Sequence, residues 1–151
     1  LARGCQTAGG GDPCWGLLNE GAATTYAPAL SNMGYTYIIV LLGANDHGLS
    51  VELGEFRSAY DSLIHLKPDV TPICIIPPPS EYEGGLNEYG LVLDDYRQVI
   101  REVCADGIVV ETEDAIPIGT RYYRDGLHFT QAGHARLRRT IMRVLAEAPP
   151  Q

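Results

Sequence analysis

Residues 35–42 read YTYIIVLL and are followed by GANDHG at residues 43–48. The first stretch is rich in β-branched, aromatic and aliphatic residues on both of its faces, which is typical of a central strand in a parallel sheet covered by helices on each side. The polar stretch is then expected to be a loop beyond the carboxyl end of that strand, where open α/β sheets bind their ligands. This junction predicts an α/β fold with its functional groups at one edge of the sheet.

The segments that follow alternate between helical and strand patterns. Apolar residues recur at helical spacing in residues 52–65 and 94–104, and short apolar runs typical of buried strands occupy residues 70–76 and 108–110. A further helical pattern begins after Thr130, which fits an N-cap. Right-handed crossovers between such elements predict a three-layer α/β/α sandwich with a parallel, flavodoxin-like sheet. We expect residues 1–151 to form a single domain of this kind.

The composition limits the classes of partner that the chain is expected to bind. Hydrophobic residues make up 45% of it and the formal net charge is -8, which argues against binding to nucleic acid or to an anionic membrane surface. The longest apolar run is far shorter than the roughly 20 residues that a membrane helix requires. The first residue is a leucine without a preceding signal pattern, so the sequence leaves the location open between cytoplasm and secretion.

The four cysteines do not decide the redox compartment. Cys5 and Cys14 could pair within a loop, whereas Cys74 fits the core of a strand and Cys104 fits the end of a helix.

Two polar segments carry complementary chemistry. Asp125 precedes His128 by three positions, so its carboxylate can accept the ring N–H and leave the other ring nitrogen free as a base, although the same pair could serve only as a turn and cap. Asn45, after the first strand, offers an uncharged amide donor suited to an oxyanion. Because parallel strands bring such segments to one edge, we expect acyl-transfer chemistry, with His128 as general base and acid and Asp125 as its orienting group.

These segments resemble the conserved blocks of the SGNH (GDSL-type) hydrolases. GAND at residues 43–46 is similar to the third block, Gly-x-Asn-Asp, and DGLH at residues 125–128, followed by Thr130-x-x-Gly133-His134, is similar to the fifth. NEGAATT at residues 19–25 is a looser match to the second block, and the resemblance covers residues 19–145. It implies catalysis through an acyl-enzyme without a cofactor or a metal, and a second oxyanion donor from the backbone of Ala23 or Thr24.

The resemblance leaves two accounts of the nucleophile, because no Gly-Asp-Ser motif occurs in the chain. In the first, LARG at residues 1–4 continues that motif, so the serine and the family's first strand precede Leu1 and the domain is truncated at its N-terminus. In the second, Cys5 occupies the position of the nucleophile as a thiol. Both accounts leave the first strand of the family's sheet missing or incomplete.

The resemblance further implies a small-molecule ester as substrate, either a carbohydrate O-acyl ester or a short-chain lipid ester. Two other classes of protein remain open: a non-catalytic module that binds such ligands, and a flavodoxin-like module that holds phosphate with residues 43–48. Asp46 and His47 have no third residue spaced to complete a metal site with them. Four tyrosines are candidates for contact with a substrate or for ordinary surface packing: Tyr82, Tyr89, Tyr122 and Tyr123.

Overall fold

The computed structural model describes residues 33–148. Cys5, Cys14, Ala23 and Thr24 lie outside the described residues, so their predicted roles stay predictions. The elements, in chain order, are β1 (Tyr37–Val40), α1 (Ala44–Gly48), α2 (Leu53–Ile64), β2 (Thr71–Ile75), α3 (Leu93–Val103), β3 (Ile108–Val110) and α4 (Gln131–Glu147).

The three strands form a parallel sheet in the order β1-β2-β3. Ile39 is in register with Ile73, and Ile73 with Ile108. Helices lie on both faces of β2. The predicted α/β sandwich with a parallel sheet is therefore confirmed, and so are the helices and strands expected in residues 52–110.

The core is divided between the two faces of the sheet. On one face, buried side chains of α2 and α3, including Phe56, Tyr60 and Tyr96, pack with Cys74 and Ile76. On the other face, the aliphatic side chains of α4, including Leu137 and Ile141, pack against Ile73 and Ile75 of β2 and Val110 of β3. The helix predicted after Thr130 is therefore present, and its apolar side faces the sheet.

Two expectations need correction. Residues 44–48 were expected to be loop, but they form the single-turn helix α1, closed by a hydrogen bond from the His47 backbone N–H to the Gly43 carbonyl at 2.9 Å. β1 was expected to be covered by helices on both faces, but two of its side chains are exposed, and β2 is the middle strand of the three within residues 33–148. Tyr37 and Ile39 of β1 are 47% and 56% exposed, whereas every residue of β2 after its first is buried.

None of the helices in the described part of the chain combines the length and the apolar character needed to cross a membrane.

A disulfide joins the sheet to its covering helix. Cys74 in β2 is bonded to Cys104, which caps the C-terminus of α3, and both residues are fully buried. The two positions match the predicted strand core and helix end, but their pairing with each other was not predicted, because a sequence does not show which helix lies over which strand.

We expect reduction of this disulfide to lower the free energy of unfolding by about 2–4 kcal/mol, since the cross-link restricts the unfolded chain. The measurement is urea unfolding with and without dithiothreitol. A Cys5→Ser/Cys14→Ser variant is the control, and it should lose the same stability on reduction. Stability that is insensitive to reduction in this variant would contradict the pairing of Cys74 with Cys104.

Candidate active site

The polar segments predicted to carry chemistry meet at a cleft on the carboxyl edge of the sheet. The cleft has a volume of about 430 Å³, and both Asn45, which follows β1, and His128, which precedes α4, line it. The other lining residues are mainly apolar: Leu41, Leu42, Gly43, Ala44, Pro77, Pro78, Pro79, Ser80, Leu93, Tyr123, Leu127, Phe129 and His134. A concave, mostly apolar cleft with a few convergent polar groups is the usual form of a small-molecule site.

His128 is held by Asp125. The ring Nδ1–H donates to Asp125 Oδ2 at 2.9 Å, and the backbone N–H of His128 donates to the other carboxylate oxygen at 2.7 Å. The Leu127 N–H donates to the same oxygen at 3.2 Å. With Nδ1 occupied in this way, Nε2 is the ring nitrogen left to accept a proton, and the side chain is 65% exposed.

These hydrogen bonds make Asp125 an unusually strong acid. The backbone N–H of His128, then its ring N–H and the Leu127 N–H, lower the pKa of Asp125 from 3.8 to about 2. Because the folded-state pKa lies below the ordinary value, the interaction stabilises the fold above about pH 4 and is lost as the pH falls through about 2. Asp125 is therefore a carboxylate at every pH at which His128 could act as a base.

The loop that carries His128 is closed on itself and fixed to α4. Arg124 N–H donates to the His128 carbonyl at 2.8 Å, and Tyr123 forms an antiparallel bridge with Phe129. Thr130 caps α4 by accepting the Gly133 N–H at 3.2 Å. A side chain at Gly133 would place its Cβ only 2.3 Å from the Tyr122 carbonyl oxygen, so a glycine is required there.

A second loop braces the first from the side of β2. Glu81 N–H donates to the Gly126 carbonyl at 3.0 Å, and the Glu81 carboxylate lies against the Gly126 backbone. Gly126 has a φ of 80°, a left-handed conformation that favours glycine, and any Cβ there would lie 2.6 Å from Glu81 Oε2. The tight turn between Asp125 and His128 therefore depends on this glycine.

Asn45 is positioned by α1 and its neighbours. The Asp46 side chain is fully buried and accepts the Gly43 N–H at 3.1 Å, while the His47 ring donates from Nε2 to the Gly85 carbonyl at 2.9 Å. Asp46 and His47 thus turn toward different partners instead of sharing a ligand. Within residues 33–148, no group of three or more His, Cys, Asp or Glu side chains is arranged to hold a metal ion.

Arg97 is a buried residue of the site that sequence reasoning missed. Its side chain is 4% exposed and donates to the Pro77 carbonyl at 2.9 Å. The same guanidinium contacts Glu83 at 2.7 Å and Glu113 at 3.2 Å. It therefore ties together the loops that follow β2 and β3. The pattern of α3 offered no signal, because a buried arginine looks in sequence like one on the exposed face.

Of the four candidate tyrosines, Tyr123 lines the cleft. Tyr82 is 61% exposed, with its hydroxyl 3.4 Å from the Asp125 carbonyl, and Tyr89 is 58% exposed. Ser80 was not singled out in the sequence, yet it is buried in the cleft wall, where its hydroxyl oxygen accepts the Tyr82 N–H at 3.3 Å. His134 also lines the cleft and packs edge-on against Phe129.

A larger groove, of about 680 Å³, lies between the loop after β3 and α4 and shares no residue with the cleft. It is lined by three acidic and three basic side chains together with two others: Glu111, Glu113, Asp114, Ala115, Arg136, Arg139, Thr140 and Arg143. Its charges are balanced and largely exposed, as expected for a solvated face. We assign chemistry to the smaller cleft because Asn45 and His128 converge there.

Comparison with known proteins points to one family. The sequence pattern of the GDSL-like lipase/acylhydrolase family matches residues 3–136. No curated protein matches the chain.

Three solved structures are similar in fold. A protein from Lactobacillus plantarum is 18% identical with a TM-score of 0.69, and the match covers 97% of this chain and 79% of that one. A carbohydrate acetylesterase from Sinorhizobium meliloti is 19% identical, with a TM-score of 0.63 over 95% of this chain and 75% of that one. A variant of an acetyl-xylooligosaccharide esterase from Geobacillus is 22% identical, with a TM-score of 0.60 over 73% and 59% of the two chains. At these identities the likeness establishes the shared fold.

The hydrogen bonds of Asp125 predict its titration. Carbon NMR of its side-chain carboxyl should show a pKa of about 2. In a His128→Ala variant this pKa should rise only part of the way to 3.8, because the largest cause, the backbone N–H at position 128, remains. A His65→Ala variant, at a histidine that contacts Asp61 and Asp106 instead, is the control and should leave the titration unchanged. An ordinary pKa for Asp125 in the unmodified protein would contradict the geometry.

Proposed function

The chain belongs to the GDSL-like lipase/acylhydrolase family, and from that premise we propose that it cleaves a small acyl ester of a carbohydrate through a covalent acyl-enzyme. The observation that carries the proposal is the convergence of Asn45 and the Asp125-oriented His128 on one cleft. The arrangement supplies a proton acceptor and an oxyanion donor, the two groups that acyl transfer needs beside a nucleophile.

In the proposed reaction His128 Nε2 takes the proton of the nucleophile as its oxygen or sulfur attacks the acyl carbon. The carbonyl oxygen becomes an oxyanion held by the Asn45 side-chain amide, and Asp125 stabilises the imidazolium. His128 then gives its proton to the departing alcohol oxygen. Water repeats the sequence on the acyl-enzyme and releases the carboxylic acid, returning the nucleophile to its protonated form.

The backbone amide of Ala23 or Thr24 is proposed as a second oxyanion donor, on the strength of the family resemblance alone. The nucleophile is proposed to be a serine upstream of Leu1, with Cys5 as the other account. Ala23, Thr24 and Cys5 lie outside the described residues, and the proposed serine lies outside the sequence itself.

Cleft size and character support a small acyl ester. A space of about 430 Å³, lined mostly by aliphatic and proline side chains, suits a short acyl group with a compact alcohol. The fold is shared with esterases described as acting on acetylated carbohydrates, which favours a carbohydrate alcohol over a lipid.

We also propose that the chain works in an oxidising compartment. The buried Cys74–Cys104 disulfide supports this, because such bonds persist outside the reducing cytosol and are rare within it.

Hydrolysis of p-nitrophenyl acetate by protein extended upstream to include any Gly-Asp-Ser tests the two assigned roles. His128→Ala should lower kcat by roughly 100- to 10,000-fold, because it removes the general base. Asn45→Ala should lower kcat by roughly 100- to 1000-fold with little change in KM, because the oxyanion forms only in the transition state. His65→Ala is the matched control and should retain full activity. Unchanged turnover in His128→Ala would refute the assignment of the base.

Covalent labelling separates the two accounts of the nucleophile. If the serine precedes Leu1, a fluorophosphonate probe should label the extended protein and Cys5→Ser should leave that labelling intact. If Cys5 is the nucleophile, a thiol-directed reagent should label Cys5 and abolish activity, and Cys5→Ser should remove that labelling and most of the activity. Protein that binds an acylated sugar, reacts with neither reagent and does not turn it over would instead be a non-catalytic binding module.

A further inference from the structure

An aromatic ring stands open to solvent beside the cleft. Tyr82 is 61% exposed, although its backbone N–H donates to Ser80 Oγ at 3.3 Å and its carbonyl accepts the Gly85 N–H at 3.1 Å. Because the backbone is engaged in this turn, most of the exposed area belongs to the ring. A single exposed tyrosine is ordinary on a protein surface, and what distinguishes Tyr82 is its place beside the proposed chemistry.

Tyr82 lies between two segments that line the cleft. Ser80, two residues before it, is buried in the cleft wall, and Leu127, which also lines the cleft, is 41% exposed. The hydroxyl of Tyr82 is 3.4 Å from the carbonyl oxygen of Asp125. The side chain therefore spans from the loop after β2 to the turn that holds His128, at the rim of the cleft.

The two segments are joined to each other, which keeps the ring in position. The Glu81 N–H donates to the Gly126 carbonyl at 3.0 Å, and the Tyr82 hydroxyl donates across the same gap to Asp125. Tyr82 is thus both exposed and held at its two ends. A large, rigid aromatic surface of this kind binds a ligand at a low cost in conformational entropy.

The proposed reaction determines which part of the substrate reaches this ring. When the carbonyl oxygen lies at Asn45 and the ester oxygen at His128, the alcohol begins at the oxygen beside His128. The alcohol therefore leaves the cleft next to the turn of residues 125–128, and this is the turn that the Tyr82 side chain contacts.

We propose that the Tyr82 ring is a platform on which the pyranose ring of the substrate's alcohol stacks, so that the site prefers esters of sugars to esters of small acyclic alcohols. The inference rests on the proposed function. A pyranose carries C–H groups on its faces and hydroxyls around its edge, so an aromatic ring can cover the C–H groups while the hydroxyls stay in water. An alcohol without a ring would cover little of this surface.

Tyr82→Ala tests the proposal, because it removes the ring from an exposed position where the fold does not depend on it. Monoacetylated glucose and ethyl acetate, whose alcohol has no ring, are compared as substrates of protein extended upstream to include any Gly-Asp-Ser. We expect kcat/KM for the sugar ester to fall roughly threefold to tenfold, mainly through KM, while kcat/KM for ethyl acetate is unchanged. Tyr82→Phe and Tyr82→Trp keep a ring and should retain the preference for the sugar ester.

Tyr89→Ala is the matched control. Tyr89 belongs to the same loop and is 58% exposed, but among residues 33–148 its side chain has no hydrogen bond or ring contact, and it does not line the cleft. The substitution should leave the kinetics of both substrates unchanged.

Two kinetic results would overturn the role of the ring. Equal losses for both substrates in Tyr82→Ala would show that the side chain only supports the turn of residues 125–128, and no loss for either substrate would show that it does not contact the sugar. A loss in Tyr82→Phe as large as that in Tyr82→Ala would assign the effect to the hydroxyl, which also contradicts stacking.

Calorimetric binding of monoacetylated glucose to the full chain carrying His128→Ala separates this inference from the proposed function. In that background Tyr82→Ala should weaken binding by a similar factor even though turnover is absent, and sugar binding that is insensitive to the substitution would overturn the platform. Full turnover by His128→Ala would overturn the proposed function, while the difference in sugar binding would still decide the role of Tyr82.

Discussion

The parallel pairing of β1, β2 and β3 is the constraint on which the site depends. Because the three strands run the same way, the segments that follow them leave the sheet at one edge: residues 41–45 after β1, residues 76–80 after β2, and the long loop after β3 that leads to α4. Asn45 and His128 are far apart in sequence, and they reach the same cleft because both follow strands of this one sheet. An antiparallel neighbour would have sent one of them to the opposite end of the molecule.

The direction of the strands does not by itself hold the loops in place, and the structure fixes them with a few polar contacts. Arg97, on α3, bonds to the Pro77 carbonyl and to carboxylates on both neighbouring loops. Glu81 packs on Gly126, and Asp46 anchors the backbone of Gly43. A guanidinium can serve several loops because its donors are fixed in one plane and it remains charged when buried. The geometry of the cleft thus rests on a few polar contacts, of which Arg97 and Asp46 supply the buried side chains.

The elements that the sequence predicted well are those with a strong periodic pattern or a known local geometry. The strand at Tyr37–Val40, the apolar side of α4, the Thr130 cap and the pairing of Asp125 with His128 all depend on residues close in sequence, and all are present. What the sequence missed depends on tertiary contact. The Cys74–Cys104 bond, the burial of Arg97 and the contact of Tyr82 with the turn at Asp125 each require knowledge of which surfaces meet. The covering of β1 was overestimated for a similar reason, since an apolar face in sequence does not say what packs against it.

In the proposed reaction Asn45 and His128 act on the two oxygens of one ester group. The most direct measurement is a crystal structure of the His128→Gln protein, extended upstream to include any Gly-Asp-Ser, with monoacetylated glucose bound. We expect the acetyl carbonyl oxygen within roughly 3 Å of the Asn45 side-chain nitrogen, and the sugar oxygen of the ester within hydrogen-bond reach of the side chain at position 128. An ester bound elsewhere, or one whose carbonyl turns away from Asn45, would contradict these roles.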